Sequence, residues 1–156
     1  MRALITLSAL LLSSVAAAEP PVAERPAPTA SQEQIYRAFS VRDPVPSCET
    51  VEAMSQAPVV DLLYVVDHAA QPPWTAMRAA QCLVRRHGAE VQPQIESWVS
   101  TEGTKGLALM TLGLIDELPA EVALSIAQTA LAGPLAEEAR PRIARSTDPE
   151  LLKLLK

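Results

Sequence analysis

Ala80-Gln81-Cys82-Leu83, Ala108-Leu109-Met110-Thr111-Leu112 and Ala139-Arg140-Pro141-Arg142-Ile143 are three versions of one phrase. Each has a small residue midway along a helical pattern, a Leu or Ile three or four positions on, and then a turn. The alanines recur at intervals of about 28 and about 31 residues, the kind of fixed period that marks a helical repeat array. They lie in the stretch from Trp74 to Ser146, which decides the fold.

Within that stretch, Trp74 to His87 places Met77, Ala80, Leu83 and Val84 on one face, and Gly88 stands at the stop position. Ala89 to Ser100 gathers Val91, Ile95, Trp98 and Val99, with Pro93 in the first turn, where few amides have a helical partner to lose. Thr104 caps a helix expected to reach Leu118. Two adjacent stripes on it (Leu107, Thr111, Leu114 and Leu118; Ala108, Leu112 and Ile115) predict cover from more than one side. Pro119 opens a helix aligning Val122, Ile126 and Ala130, which Gly133-Pro134 breaks. Leu135 to Arg145 must kink or end early at Pro141. Thr147-Asp148-Pro149-Glu150 then offers two caps, Thr147 or Asp148, to a last helix rich in leucine.

Upstream the pattern is weaker. Gln71-Pro72-Pro73 breaks the chain, and Pro58 to His68 is almost wholly apolar, read as helix with a strand as the competing reading. Ser47 caps a modest helix from Cys48 to Gln56. Ser31-Gln32-Glu33-Gln34 fits a capping box for a helix presenting Ile35, Ala38 and Phe39. Glu19 to Ala30 is Pro/Ala-rich and predicts an exposed extended tether. Met1 to Ala18 has an arginine, an apolar run and a closing Ala16-Ala17-Ala18, the pattern of a cleaved secretory signal peptide. That leaves no stable membrane anchor and predicts a periplasmic or secreted protein. The domain is expected over 31–156, with its repeat core at about 72–156.

Composition narrows the function classes. A net charge of −5, with no basic run beyond Arg85-Arg86, argues against nucleic-acid binding. Aromatic residues are 3% of the chain against abundant Ala and Leu, which suits packed helices and not a β-sandwich. Two cysteines in an exported chain predict a single disulfide, Cys48–Cys82. No C-x-x-C accompanies them, so the redox reading of the pair lacks its usual marker.

The helix pairs resemble HEAT-type repeats, in particular the short form of phycobilisome-lyase-like HEAT proteins. The residues that carry the resemblance are Met77 to Leu83, Gly88 to Ile95, Gly106 to Gly113 and the closing Asp148-Pro149-Glu150-Leu151. It covers roughly Pro72 to Leu155, with a fainter unit at Ser47 to Ala69. What it implies is an all-α fold, a short α-solenoid of tandem helix hairpins. No lyase activity is carried over, because no chromophore-handling residues match.

Reactive groups are sparse. His68 and His87 are the only histidines, each at an expected helix end, and no metal-ligand spacing such as H-E-x-x-H occurs. No G-x-S-x-G and no Gly-rich phosphate loop is present. Asp116-Glu117 and Glu137-Glu138 read as solvated faces. No catalytic residue, metal or cofactor is assigned. Trp98 belongs to an apolar stripe, whereas Trp74 follows two prolines and is a candidate exposed anchor. Opposite the apolar stripes of the second helices lie Gln94, Ser97, Ser125 and Gln128, with Glu121 nearby: a polar, weakly charged surface suited to a protein partner. The expected role is a non-catalytic scaffold or adaptor for another envelope protein. The alternatives are a thiol-dependent redox protein using Cys48 and Cys82, and a small-ligand carrier.

Overall fold

Residues 26–156 are described by the computed structural model; the leader expected over 1–18 and tether residues 19–25 lie outside them. Nine α-helices, and no strand, occur among the described residues: α1 (Ala30–Ser40), α2 (Cys48–Glu52), α3 (Pro58–His68), α4 (Trp74–His87), α5 (Gln92–Ser100), α6 (Lys105–Gly113), α7 (Ala120–Ala132), α8 (Ala136–Ile143) and α9 (Pro149–Lys153). The described residues are all-α, and the strand alternative for Val59 to Val66 is not taken. None of these helices is long and apolar enough to cross a membrane.

The contacts between helices fall into rows. Along one side α1 packs on α4, α4 on α6 and α6 on α8; along the other α5 packs on α7 and α7 on α9. Alternation in the sequence causes this, since the helices carry apolar stripes and short breaks return the chain beside its predecessor. The recurring phrase maps onto the first row. Ala80 and Leu83 on α4, Ala108 and Leu112 on α6, and Ala139 and Ile143 on α8 are all buried. The small residue admits the neighbouring backbone, and the larger one fills the space beyond it. As its two stripes predict, α6 is covered by α4, α5 and α8, and Trp98 is buried beneath the second row.

Several boundaries differ from the sequence reading, each for a local reason. The first capping box is Thr29 with Gln32, not Ser31 with Gln34: the Thr29 hydroxyl accepts from the Gln32 amide, and Gln32 Oε1 accepts from the Thr29 amide. Both phrases fit the motif; Ser31 has another task, donating to Asp61. Ordered helix therefore begins inside the stretch expected to be tether. Helix α2 closes at Glu52 rather than near Gln56, and α6 stops at Gly113, giving way to a 3-10 turn over Ile115–Glu117. Glycine is a poor interior helix residue, and the turn lets Ile115 and Leu118 both stay buried.

Gly88 follows α4 with φ −51° and ψ −38°, so it is no left-handed cap. Space is what requires glycine there: a Cβ would stand 2.4 Å from Leu118 Cδ2 and 2.8 Å from the Val84 carbonyl oxygen. Helix α8 runs through the exposed Pro141 and ends two residues later, at Ile143. Of the two final caps the chain uses Asp148, whose carboxylate accepts from the Glu150 amide at 2.8 Å with Pro149 in the first turn.

Candidate functional site

The polar groups of the protein are spent first on joining helices. Asp61, only 6% exposed, accepts from the Ser31 hydroxyl, the Ser55 hydroxyl and Gln32 Nε2 at 2.5, 2.6 and 2.9 Å. Burial works against its charge, but the donors outweigh it and hold the carboxyl below its ordinary range. Glu96 on α5 accepts from Gln92 and from Ser125 on α7, and those two bonds lower its pKa. Asp116 accepts from the Ser146 hydroxyl and from the Thr147 amide and hydroxyl, again with a lowered pKa, the Ser146 bond foremost. In each clamp one serine lies 29 or 30 residues from its carboxylate, and in the first a second serine, Ser55, lies six residues from Asp61.

The two acidic pairs face solvent as expected, with Asp116, Glu117 and Glu137 exposed, but three of their four residues also carry bonds. Asp116 holds the loop before α9, Glu117 pairs with Arg85 at 3.1 Å, and Glu138 pairs with Lys105. Among the described residues no group of three metal-ligating side chains converges. His87 bonds Glu52 at 3.0 Å, while His68 Nδ1 lies 2.8 Å from the Tyr64 carbonyl. Cys48 and Cys82 are joined in a disulfide with Cα atoms 5.4 Å apart. The bond ties short α2 to α4, and Arg86 adds ion pairs to Glu49 and Glu52 on the same element.

The residues expected to face a partner fall in two places. Gln94, Ser97, Ser125 and Gln128 lie on α5 and α7, which pack side by side. Ser97 and Gln128 are exposed; Gln94 and Ser125 are half-buried. Ser125 already serves the Glu96 clamp, with Ser97 next to Glu96 in the chain and Gln128 one turn beyond Ser125. Trp74 is on the other row, 39% exposed, its indole N–H donating to the Ser40 carbonyl and the Arg78 guanidinium 5.8 Å from its ring. Arg78 also donates to the carbonyls of Phe39, Val41 and Arg42, which pins the loop after α1 beneath the indole. Exposed Val41 and Val45 stand on that loop.

Sequence reasoning did not single out a third feature, a cleft of about 430 Å³ between α1 and α3. Tyr36, Tyr64, Val65 and His68 line it, with Pro28 at its edge. The Tyr64 and His68 rings stack at 4.1 Å. Tyr64 and His68 are four residues apart, and that spacing on a helix was the available signal.

No family model matches the chain, and comparison with curated proteins and with solved structures finds no match. Geometry and sequence pattern alone therefore carry the functional argument.

Proposed function

We propose that this protein is a non-catalytic scaffold or adaptor, a short HEAT-like α-solenoid that presents its second row of helices to a protein partner. The observation that carries this reading is the regularity of construction. The repeated phrase sits on successive helices of one row, and each of three carboxylates bonds a serine 29 or 30 residues away in the chain. Arrays of this kind display extended surface instead of a reactive pocket. Gln94, Ser97 and Gln128 supply such a surface on α5 and α7, polar but without concentrated charge, and Trp74 supplies a separate anchor of the sort that dominates protein interfaces.

The disulfide suggests an oxidising compartment. Together with the leader read from the sequence, it supports placement in the periplasm or outside the cell. The carboxylates with lowered pKa are committed to clamps, which favours a structural role for them over proton transfer. The thiol-based alternative is separable by alkylation: a structural bond leaves the native protein unreactive until it is strongly reduced.

Photo-crosslinking in the native envelope tests the adaptor reading. A crosslinking residue at Ser97 or Gln128 should give one discrete adduct, and the same group at exposed Arg140 on α8, in the first row, should not. No adduct at either position, or equal adducts at all three, would refute it.

A further inference from the structure

The chain has two tyrosines, Tyr36 and Tyr64, and both line the cleft between α1 and α3. In a protein with 3% aromatic residues, that concentration calls for an explanation. Tyr64 stacks on His68, and its hydroxyl donates to the Pro26 carbonyl at 2.8 Å. Pro28 forms part of the cleft wall, and Pro26-Ala27-Pro28 carries no regular secondary structure. A tyrosine hydroxyl on a proline carbonyl, flanked by flat aromatic surface, is the chemistry by which extended proline-rich chain is recognised. Proline has no amide to satisfy, its carbonyl is a strong acceptor, and its ring packs on aromatic faces.

We propose that the α1–α3 cleft is a binding site for an extended, proline-rich segment of a partner protein. The chain's own Pro26-Ala27-Pro28 holds one end of it in cis. The partner segment fills the open remainder along Tyr36, Val65 and His68 and competes with Pro26 for the Tyr64 hydroxyl. Two observations choose this occupant. The site continues an interface that already has Pro28 in its wall and the Pro26 carbonyl on the Tyr64 hydroxyl. Its only charged lining residues, Glu33 and Arg37, neutralise each other in an ion pair at 2.9 Å, so it complements an uncharged Pro/Ala chain and neither a polyanion nor a basic peptide. The Tyr36 hydroxyl is committed to the Gln71 carbonyl, which fixes its ring as a wall and leaves Tyr64 as the donor that reads the ligand. This site lies on a face that the adaptor reading leaves unassigned, and it stands or falls independently of the α5–α7 surface.

The test is titration of the isotope-labelled full-length protein with a capped Ala-Pro-Ala-Pro-Pro-Ala-Pro peptide, read by amide chemical shifts. Saturable shifts confined to residues 27–37 and 64–71 are expected, with a Gly/Ser peptide of equal length silent. Introduced together with Pro26→Gly and Pro28→Gly, which loosen the strap that otherwise occupies the hydroxyl, Tyr64→Phe keeps the ring and should weaken binding about fivefold relative to the loosened strap alone, the usual worth of one hydrogen bond. Pro26→Gly with Pro28→Gly loosens the competing strap and should tighten binding severalfold. Equal response to the Gly/Ser peptide would overturn the proposal, as would silence in both the wild type and the loosened strap. Binding that emerges only after Pro20→Gly with Pro21→Gly would assign the cleft to this chain's own upstream prolines and overturn a partner in trans.

Discussion

The first three helices and the six that follow are held together by different means. From α4 onward, buried Ala79, Ala80, Ala108, Ala123, Ala127, Ala130 and Ala139 let backbones approach, and Leu83, Ile95, Trp98, Leu112, Ile126 and Ile143 fill the volume between them. Polar links there, the Glu96 and Asp116 clamps and the Arg85–Glu117 and Lys105–Glu138 pairs, lie across packed rows. On the α1–α3 side the apolar contribution is smaller, and fixed cross-links take its place: the disulfide, the Asp61 cluster, the Arg78 bonds to three carbonyls, and the tyrosine hydroxyls on Pro26 and Gln71. Where the sequence keeps its period, dispersion and burial hold the helices; where the period fades, specific bonds hold the chain in register.

That contrast can be broken most directly at the disulfide. Cys82→Ser reopens a loop with a sequence separation of 34, and the chain-entropy model gives a loss of about 3–4 kcal/mol. The melting temperature should fall while helical content at low temperature is kept. Hydrogen exchange should quicken in α1–α3 before it does in α6–α8; uniform quickening would erase the distinction between the regions.

Asp61→Ala leaves three donors without their shared acceptor, one of them buried Gln32, and should cost about 2–3 kcal/mol. Chemical denaturation measures it, and a loss below the error of the fit would show that the cluster is decoration. Acid sharpens the same point. Asp61, Glu96 and Asp116 all have folded-state pKa values below the ordinary carboxylate range. Their stabilisation is therefore present at neutral pH and drains away as pH falls through those depressed values. Asp61→Ala should flatten that acid limb; an unchanged limb would place the sensitivity elsewhere.

Smaller effects probe the packed rows. Gly88→Ala drives a Cβ against Leu118 and the Val84 carbonyl, and should cost about 1–2 kcal/mol through overpacking. Thr111 has the opposite sign. It is fully buried on α6, and its hydroxyl has no hydrogen-bond partner among the described residues. Thr111→Val should add about 1 kcal/mol of stability by removing an unsatisfied group at nearly constant shape. A loss in the thermal melt would mean that the hydroxyl has a partner in solution.

Much of the helical layout was legible beforehand. Helix α4 spans the residues its pattern predicts, Trp74 to His87, because proline and apolar periodicity bracket it without competition. The burial of Ile95, Trp98 and Val99 followed from one stripe. The first cap was misplaced because two S/T-x-x-Q phrases overlap within six residues, and only Asp61, 30 residues on from Ser31, decides which serves the helix. Gly88 was read as a conformational stop, whereas its reason is a leucine 30 residues away. Gln94, Ser97 and Gln128 were nameable as a face from helical geometry. The Tyr36–Tyr64–His68 cleft was not, since nothing local says that α1 lies beside α3.

The sequence by itself determined that this chain is helical, where most of its helices begin, and that Cys48 pairs with Cys82, because propensity, capping and cysteine count act within a turn or have a single solution. Only the tertiary structure decided which carboxylates are clamps, which glycine is a spacer and where aromatic rings gather into a cleft. Those properties belong to pairs of residues about 30 positions apart, and the distance between such residues is set by packing.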